Sequence, residues 1–196
     1  MTSYSQHGED RYIFTLLNNG LKLSPLVYEL GACNGVNLSN SRALIERGWN
    51  AVLVEASPYY TDKLIELYDD NDNVLTIPKA IGAEKGMVNF GFIEDRPDHS
   101  GIGKEGIQYE VDCITWNEIK ADNIGVLSID IEGVDTQVLK DAIQSSPELI
   151  IIEANTIDDR MSQTKILCDK YVLLKTYFVN SIWLRKDKAE NKYLLI

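Results

Sequence analysis

Two stretches of this sequence put glycines and acids where a chain can hold and react a small molecule. The first is Glu29-Leu30-Gly31-Ala32-Cys33-Asn34-Gly35, between an apolar run and a helical stripe. Open α/β sheets bind ligands at such strand ends, and glycines let the backbone approach closely. The spacing Gly-x-x-x-Gly lacks the close first glycine pair of a pyrophosphate-binding turn. Glu55 ends the next apolar run, and an acid there can accept both hydroxyls of a ribose. The turn and the acid together suit an adenosine ligand without a diphosphate. The plain alternative is a tight turn beside a solvated acid.

The second stretch is Asp130-Ile131-Glu132-Gly133. In an extended chain alternate residues share a face. Asp130 and Glu132 would then repel, which raises one pKa and makes a better base. Glu132 equally suits the start of the following helix, so the chemistry is assigned to Asp130. A hydroxyl acceptor must lose a proton, and a general base helps. Either of the two histidines, His7 or His99, could serve. Glu153 and Asn155 end the next apolar run, and with Asp130 they would offer Mg²⁺ oxygen ligands. A solvated Glu153 is the plainer reading, and no metal is assigned.

These groups need strands and helices in alternation. Leu26–Leu30, Ala51–Val54, Val74–Ile77, Met87–Ile93, Val126–Ile129 and Leu149–Ile152 read as strands. Leu38, Leu44 and Ile45 give a helical stripe closed by Gly48. Ser57-Pro58 caps a helix through Tyr60, Leu64, Leu67 and Tyr68. Val134–Ala142 and Ile157–Asp169 are further helices. Glu94–Gln108, rich in glycine and proline, reads as a loop of lid length. Tyr171–Tyr177 and Ser181–Arg185 form a closing antiparallel pair. Trp49, Trp116 and Trp183 are assigned to packing. The pattern is parallel α/β in one domain over 1–196.

Composition narrows the partners. The 196 residues carry 19 Lys plus Arg against 30 Asp plus Glu, a formal charge of −11. That disfavours nucleic acid and anionic membrane surfaces. A local basic pocket from Arg11, Arg42, Arg96 and Lys104 would still admit a phosphorylated sugar. The three cysteines have no CxxC spacing, which points to a reducing, cytoplasmic compartment. No signal peptide or membrane-insertion segment is apparent. Homo-oligomerisation is left open.

S-adenosylmethionine fits the adenosine reading, and longer motifs agree. The chain resembles the FkbM family of S-adenosylmethionine-dependent methyltransferases in Ser5-Gln6-His7-Gly8-Glu9-Asp10 and Tyr28–Gly35. It does so again in Leu38-Ser39-Asn40-Ser41, Glu46-Arg47-Gly48-Trp49, Val54–Pro58 and Leu127–Gly133. The resemblance implies a Rossmann-like class I methyltransferase fold. Its sheet is seven-stranded and mostly parallel, with an antiparallel closing strand and helices on both faces. Glu29, Gly31, Ala32 and Gly35 would line the methionine part of the cofactor. Glu55 would hold the ribose, with Ala56 and Ser57 beside it. Ala80, in Ala80-Ile81-Gly82, would contact adenine, although that segment lacks the acid many methyltransferases carry there. Asp130 would face the reacting methyl. Gln6 and His7, or Glu9 and Asp10, would cover the site from a cap segment, residues 1–24. The implied activity is O-methylation of a hydroxyl on a sugar, a glycan precursor or a natural product. Two other readings stand beside it: a cofactor-binding protein without turnover, and an NAD-dependent oxidoreductase.

Overall fold

The computed structural model describes residues 2–189; Met1 and 190–196, at the ends of the expected 1–196 unit, lie outside the described residues. In chain order come α1 (Glu9–Asn18), β1 (Leu26–Leu30), α2 (Arg42–Ile45), β2 (Asn50–Val54), α3 (Pro58–Tyr68) and β3 (Val74–Ile77). β4 (Ala80–Gly82), β5 (Gly86–Phe92), β6 (Gly101–Ile102), β7 (Ile107–Thr115) and α4 (Trp116–Ile119) follow. The chain ends in β8 (Val126–Ile129), α5 (Asp135–Ala142), β9 (Leu149–Glu153), α6 (Ile157–Leu167), β10 (Tyr171–Tyr177) and β11 (Asn180–Arg185).

Seven strands form one sheet in the order β10-β11-β9-β8-β1-β2-β3. β3, β2, β1, β8 and β9 are mutually parallel, and β11 runs antiparallel to both neighbours. Parallel strands covered on both faces are near-continuous apolar runs. Val27, Ala51, Leu53, Val126 and Ile151 accordingly face α1 and α2 in one buried cluster. Their neighbours Tyr28, Val52, Leu127, Ile129 and Ile150 face α5 and Trp116 in a second. Leu127 is fully buried, and its truncation to Ala would cost about 2–5 kcal/mol. Among the described residues, no helix is long and apolar enough to cross a membrane.

Two local features differ from the expected pattern. The segment after the glycine turn is not a long helix. It turns through Cys33 and Leu38, both at positive φ, and only Arg42–Ile45 is helical. Buried Ser39, Asn40 and Ser41 replace the apolar stripe with a hydrogen-bonded knot around Glu29. Gly48 does close α2: its N–H meets Ile45 O, and Trp49 N–H meets Leu44 O, a Schellman closure. The second difference lies in Glu94–Gln108, which is not wholly loop. β6 pairs with β5, and β7 begins at Ile107, building a second sheet in the order β4-β7-β5-β6. The outer half of β7 is exposed on both faces, so it lacks the buried apolar run that marks the central strands. Trp116 and Trp183 are buried, and Trp49 is half-buried against the first cluster.

Candidate active site

Register places the acids in a row. Leu30 pairs with Val54 and Ile129, and Ile129 pairs with Ile152. Gly31, Glu55, Asp130 and Glu153 each follow one of these residues at the carboxyl edge of the sheet. The strand order reverses between β1 and β8, where open α/β sheets hold ligands. There β1 and β8 touch: a Cβ on Gly31, at φ +87°, would lie 1.8 Å from Asp130 O. Only glycine fits that close approach.

A cleft of about 800 Å³, counted with its open mouth, lies over this edge. Glu29, Gly31, Ala32, Glu55, Ala56, Ala80 and Asp130 line it. Gly35 is outside the lining; a Cβ there, at φ +72°, would meet Leu64 at 2.7 Å and Tyr68 at 2.9 Å on α3. Ser57, also outside it, is buried, and its N–H donates to Glu55 Oε1 at 2.7 Å. Cys33 N–H donates to Glu55 Oε2, also at 2.7 Å. Burial pushes Glu55 up to about 6 despite these donors. Burial also raises Glu29, whose carboxylate accepts from the Ser39 and Ser41 hydroxyls and from Asn40 N–H. Asn40 Oδ1 and Ser57 Oγ are buried without a hydrogen-bond partner among the described residues. Asn40 lines the cleft, so its carbonyl is an unused acceptor in the cleft wall.

The N-terminal motif divides its roles. Asp10 accepts from Ser3 Oγ, Tyr4 N–H, Ser5 Oγ and Arg11 N–H at 2.6–2.8 Å. Burial opposes its charge, but these bonds outweigh it and hold Asp10 below its ordinary value. Glu9 accepts from His7 N–H and Asn180 Nδ2. Both acids are fully buried and tie the segment down instead of facing a ligand. Ser5 bridges to Leu38, bringing Ser3 and Tyr4 to a hollow that shares Asn37, Leu38, Tyr60 and Asp98 with the cleft. Gln6 is exposed. The His7 ring packs on Phe178, 4.7 Å between centroids, in the turn beside Glu153. His99 contacts Glu132 through Nδ1 and Arg96 through Nε2, so both ring nitrogens are engaged.

A model of the Methyltransferase FkbM domain matches residues 29–176. The chain belongs to the FkbM methyltransferase family. A search of curated protein sequences gives no significant match. Among solved structures, a precorrin-6y C5,15-methyltransferase from Geobacter metallireducens GS-15 is 14% identical at a TM-score of 0.50, over 89% of this chain and 88% of that one. A TehB-like SAM-dependent methyltransferase from Corynebacterium glutamicum is 10% identical at 0.49, over 92% and 88%. The first likeness supports the Rossmann-like methyltransferase fold, and the family makes this a SAM-dependent methyltransferase.

In this FkbM domain Asp130 has a different acidic partner from the one its sequence suggests. Glu132 sits at φ +57°, which breaks the strand alternation and turns its carboxylate to Lys104 and His99. Asp130 instead meets Glu153 and Asp135, with one oxygen of each within 4.8 Å of the others. Glu153 is buried, not solvated, and Asn155 Nδ2 donates to it at 2.6 Å. Burial, then the charges of Glu132 and Asp135, push Glu153 up to about 7. Burial and Glu153 push Asp130 well above the carboxylate range. Acids this close titrate as a coupled set. Asp135 accepts from Ile131 and Gly133 N–H, which fixes it at the helix start. The expected basic pocket has other engagements: Arg42 pairs with Glu46, Lys104 with Glu132, and Arg96 contacts His99. Sequence reading missed Asn40 in the cleft wall, for which the polar run Leu38–Ser41 was the available signal; Tyr60, which the helical pattern sends inward, also lines the cleft.

Proposed function

We propose that this protein transfers a methyl group from S-adenosylmethionine to a hydroxyl of a small-molecule, sugar or glycan-precursor acceptor. The donor set fits the cofactor. Glu55 would accept from the ribose hydroxyls, with Ala56 beside it, and Ala80 would flank the base. Glu29 and the unused Asn40 carbonyl would face the amino-acid end, where Gly31 and Ala32 leave the backbone open. When bound, the cofactor supplies an electrophilic methyl group.

The observation that carries the hydroxyl assignment is the Asp130–Glu153 pair. Asp130 lines the cleft, Glu153 stands beside it, and burial with mutual charge raises both. A base with a pKa near the operating pH balances being unprotonated against being basic enough to take a hydroxyl proton as the methyl transfers. His99 is committed to Glu132 and Arg96 and the His7 ring packs on Phe178, so the base role is assigned to the carboxylate pair. His7 and Phe178, their rings tilted by 40°, border the same strand end, and Phe178 would offer an aromatic face to an acceptor ring. Within the expected cap segment, Asp10 pins the turn of Ser3, Tyr4 and Ser5, which would hold that segment beside the site. The acidic surface disfavours nucleic-acid acceptors.

A screen of sugars, nucleotide-linked sugars and phenolic natural products, read by S-adenosylhomocysteine release, tests this. Turnover confined to hydroxyl acceptors, rising with pH through about 7, is the expected result. Turnover on amines or thiols alone would overturn the hydroxyl assignment.

A further inference from the structure

Pro97, Asp98, Ser100 and Ile102 of the cleft wall come from the segment between β5 and β7. Its base is held by backbone: Ile102 and Gly101 pair with Phe90 and Gly91, and Gly103 N–H meets Asn89 O. Its tip is tied to the body of the fold by Glu132. One carboxylate oxygen lies 3.1 Å from His99 Nδ1, the other 3.0 Å from Lys104 Nζ. Gly101 rests on the same residue; a Cβ there would come within 2.7 Å of Glu132 O. The Glu132 side chain is 7% exposed, and its backbone is left-handed, a region L side chains rarely adopt. Neither local propensity nor apolar packing accounts for a glutamate here. Its contacts with His99 and Lys104 do.

We propose that Glu132 is a positioning residue that latches the 96–104 segment over the cleft. It stands two residues from Asp130, so the latch couples closure of the wall to the strand end that carries the coupled acids. The inference rests on the cofactor reading for its consequence, but not for its first test.

That test is amide hydrogen exchange of the protein without ligand, comparing wild type with Glu132→Gln and Lys104→Met. One partly exposed ion pair and one hydrogen-bonding contact are worth enough to speed opening about five- to tenfold when lost. Exchange over 96–103 is expected to accelerate by that factor in Glu132→Gln and by less in Lys104→Met, with β8 and α5 unchanged. S-adenosylhomocysteine dissociation is expected to quicken in step. If Glu132→Gln loses protection throughout, Lys104→Met decides, because its half-exposed side chain leaves the fold intact. Unchanged exchange over 96–103 in Lys104→Met, or acceleration no greater there than in β8, overturns the latch. Wild type that fails to bind S-adenosylhomocysteine sinks the cofactor reading and leaves the exchange comparison standing.

Discussion

The two halves of the carboxyl edge treat buried acids in opposite ways. On the β1–β2 side, Glu29 and Glu55 each receive neutral donors: two backbone N–H groups for Glu55, two hydroxyls and one N–H for Glu29. On the β8–β9 side, Asp130, Asp135 and Glu153 crowd within 4.8 Å, and the nearby Lys104 and His99 serve Glu132 instead. Fixed donors offset part of the cost of burying Glu29 and Glu55, which suits them to binding. Crowding by other acids adds to the cost of burying Asp130 and Glu153, which suits them to exchanging a proton. On the proposed function the same residue type is divided between holding and reacting by its neighbours.

Removing the reacting side has the largest expected effect. Asp130→Asn should lower turnover by about 10²–10⁴-fold, the usual scale for a general base. Calorimetry should show little change in S-adenosylhomocysteine affinity, and a comparable loss of both would erase the division. The contact between the halves comes next. Gly31→Ala drives a methyl into Asp130 O at a left-handed backbone position and should cost more than about 2 kcal/mol in denaturant unfolding. An unchanged midpoint would mean that β1 and β8 can part cheaply.

The central parallel strands were legible because each is a short apolar run ended by a glycine or an acid. Asp130, Gly31 and Glu55 came with them, since they occupy the strand ends. Glu153 was seen only as a metal ligand or a solvated acid. Its burial depends on Asn180 and the β10–β11 turn, far away in sequence. Glu132 could not be read correctly, because nothing local announces a left-handed glutamate. β7 escaped because its outer half is exposed, which leaves no buried face to mark it. Glu9 and Asp10 were read as candidates to cover the site, whereas their partners Ser3, Tyr4, Ser5 and Asn180 make them the anchors of the segment.

The holding side gives the next effects. Glu55→Gln should weaken S-adenosylhomocysteine by about 10–100-fold, the scale of charged hydrogen bonds. Wild-type affinity should fall by up to about tenfold per pH unit below about 6, where Glu55 takes up a proton, and Glu55→Gln should flatten that slope. Stability has the other sign. Glu55 and Glu153 bind protons more tightly folded than unfolded, so their ionisation costs stability as pH rises from about 5 to about 7. Thermal unfolding without ligand and calorimetry with it should therefore trend in opposite directions across that window. The smallest effect belongs to the rim. Phe178 is 83% exposed at φ +43°, so Phe178→Ala should leave the unfolding midpoint nearly unchanged. The acceptor KM should rise about three- to tenfold, the scale of one aromatic contact. A stability loss without a KM change would make Phe178 a packing residue.

The most direct measurement is thermal unfolding of the wild-type protein with S-adenosylhomocysteine, with NAD as control and Glu55→Gln in parallel. At a hundred times its dissociation constant the ligand should stabilise wild type by about 2.7 kcal/mol. NAD should give no shift, and the same S-adenosylhomocysteine concentration should stabilise Glu55→Gln far less. Equal stabilisation of both proteins, or a shift with NAD alone, would contradict the assignment of Glu55 and the glycine turn to the cofactor.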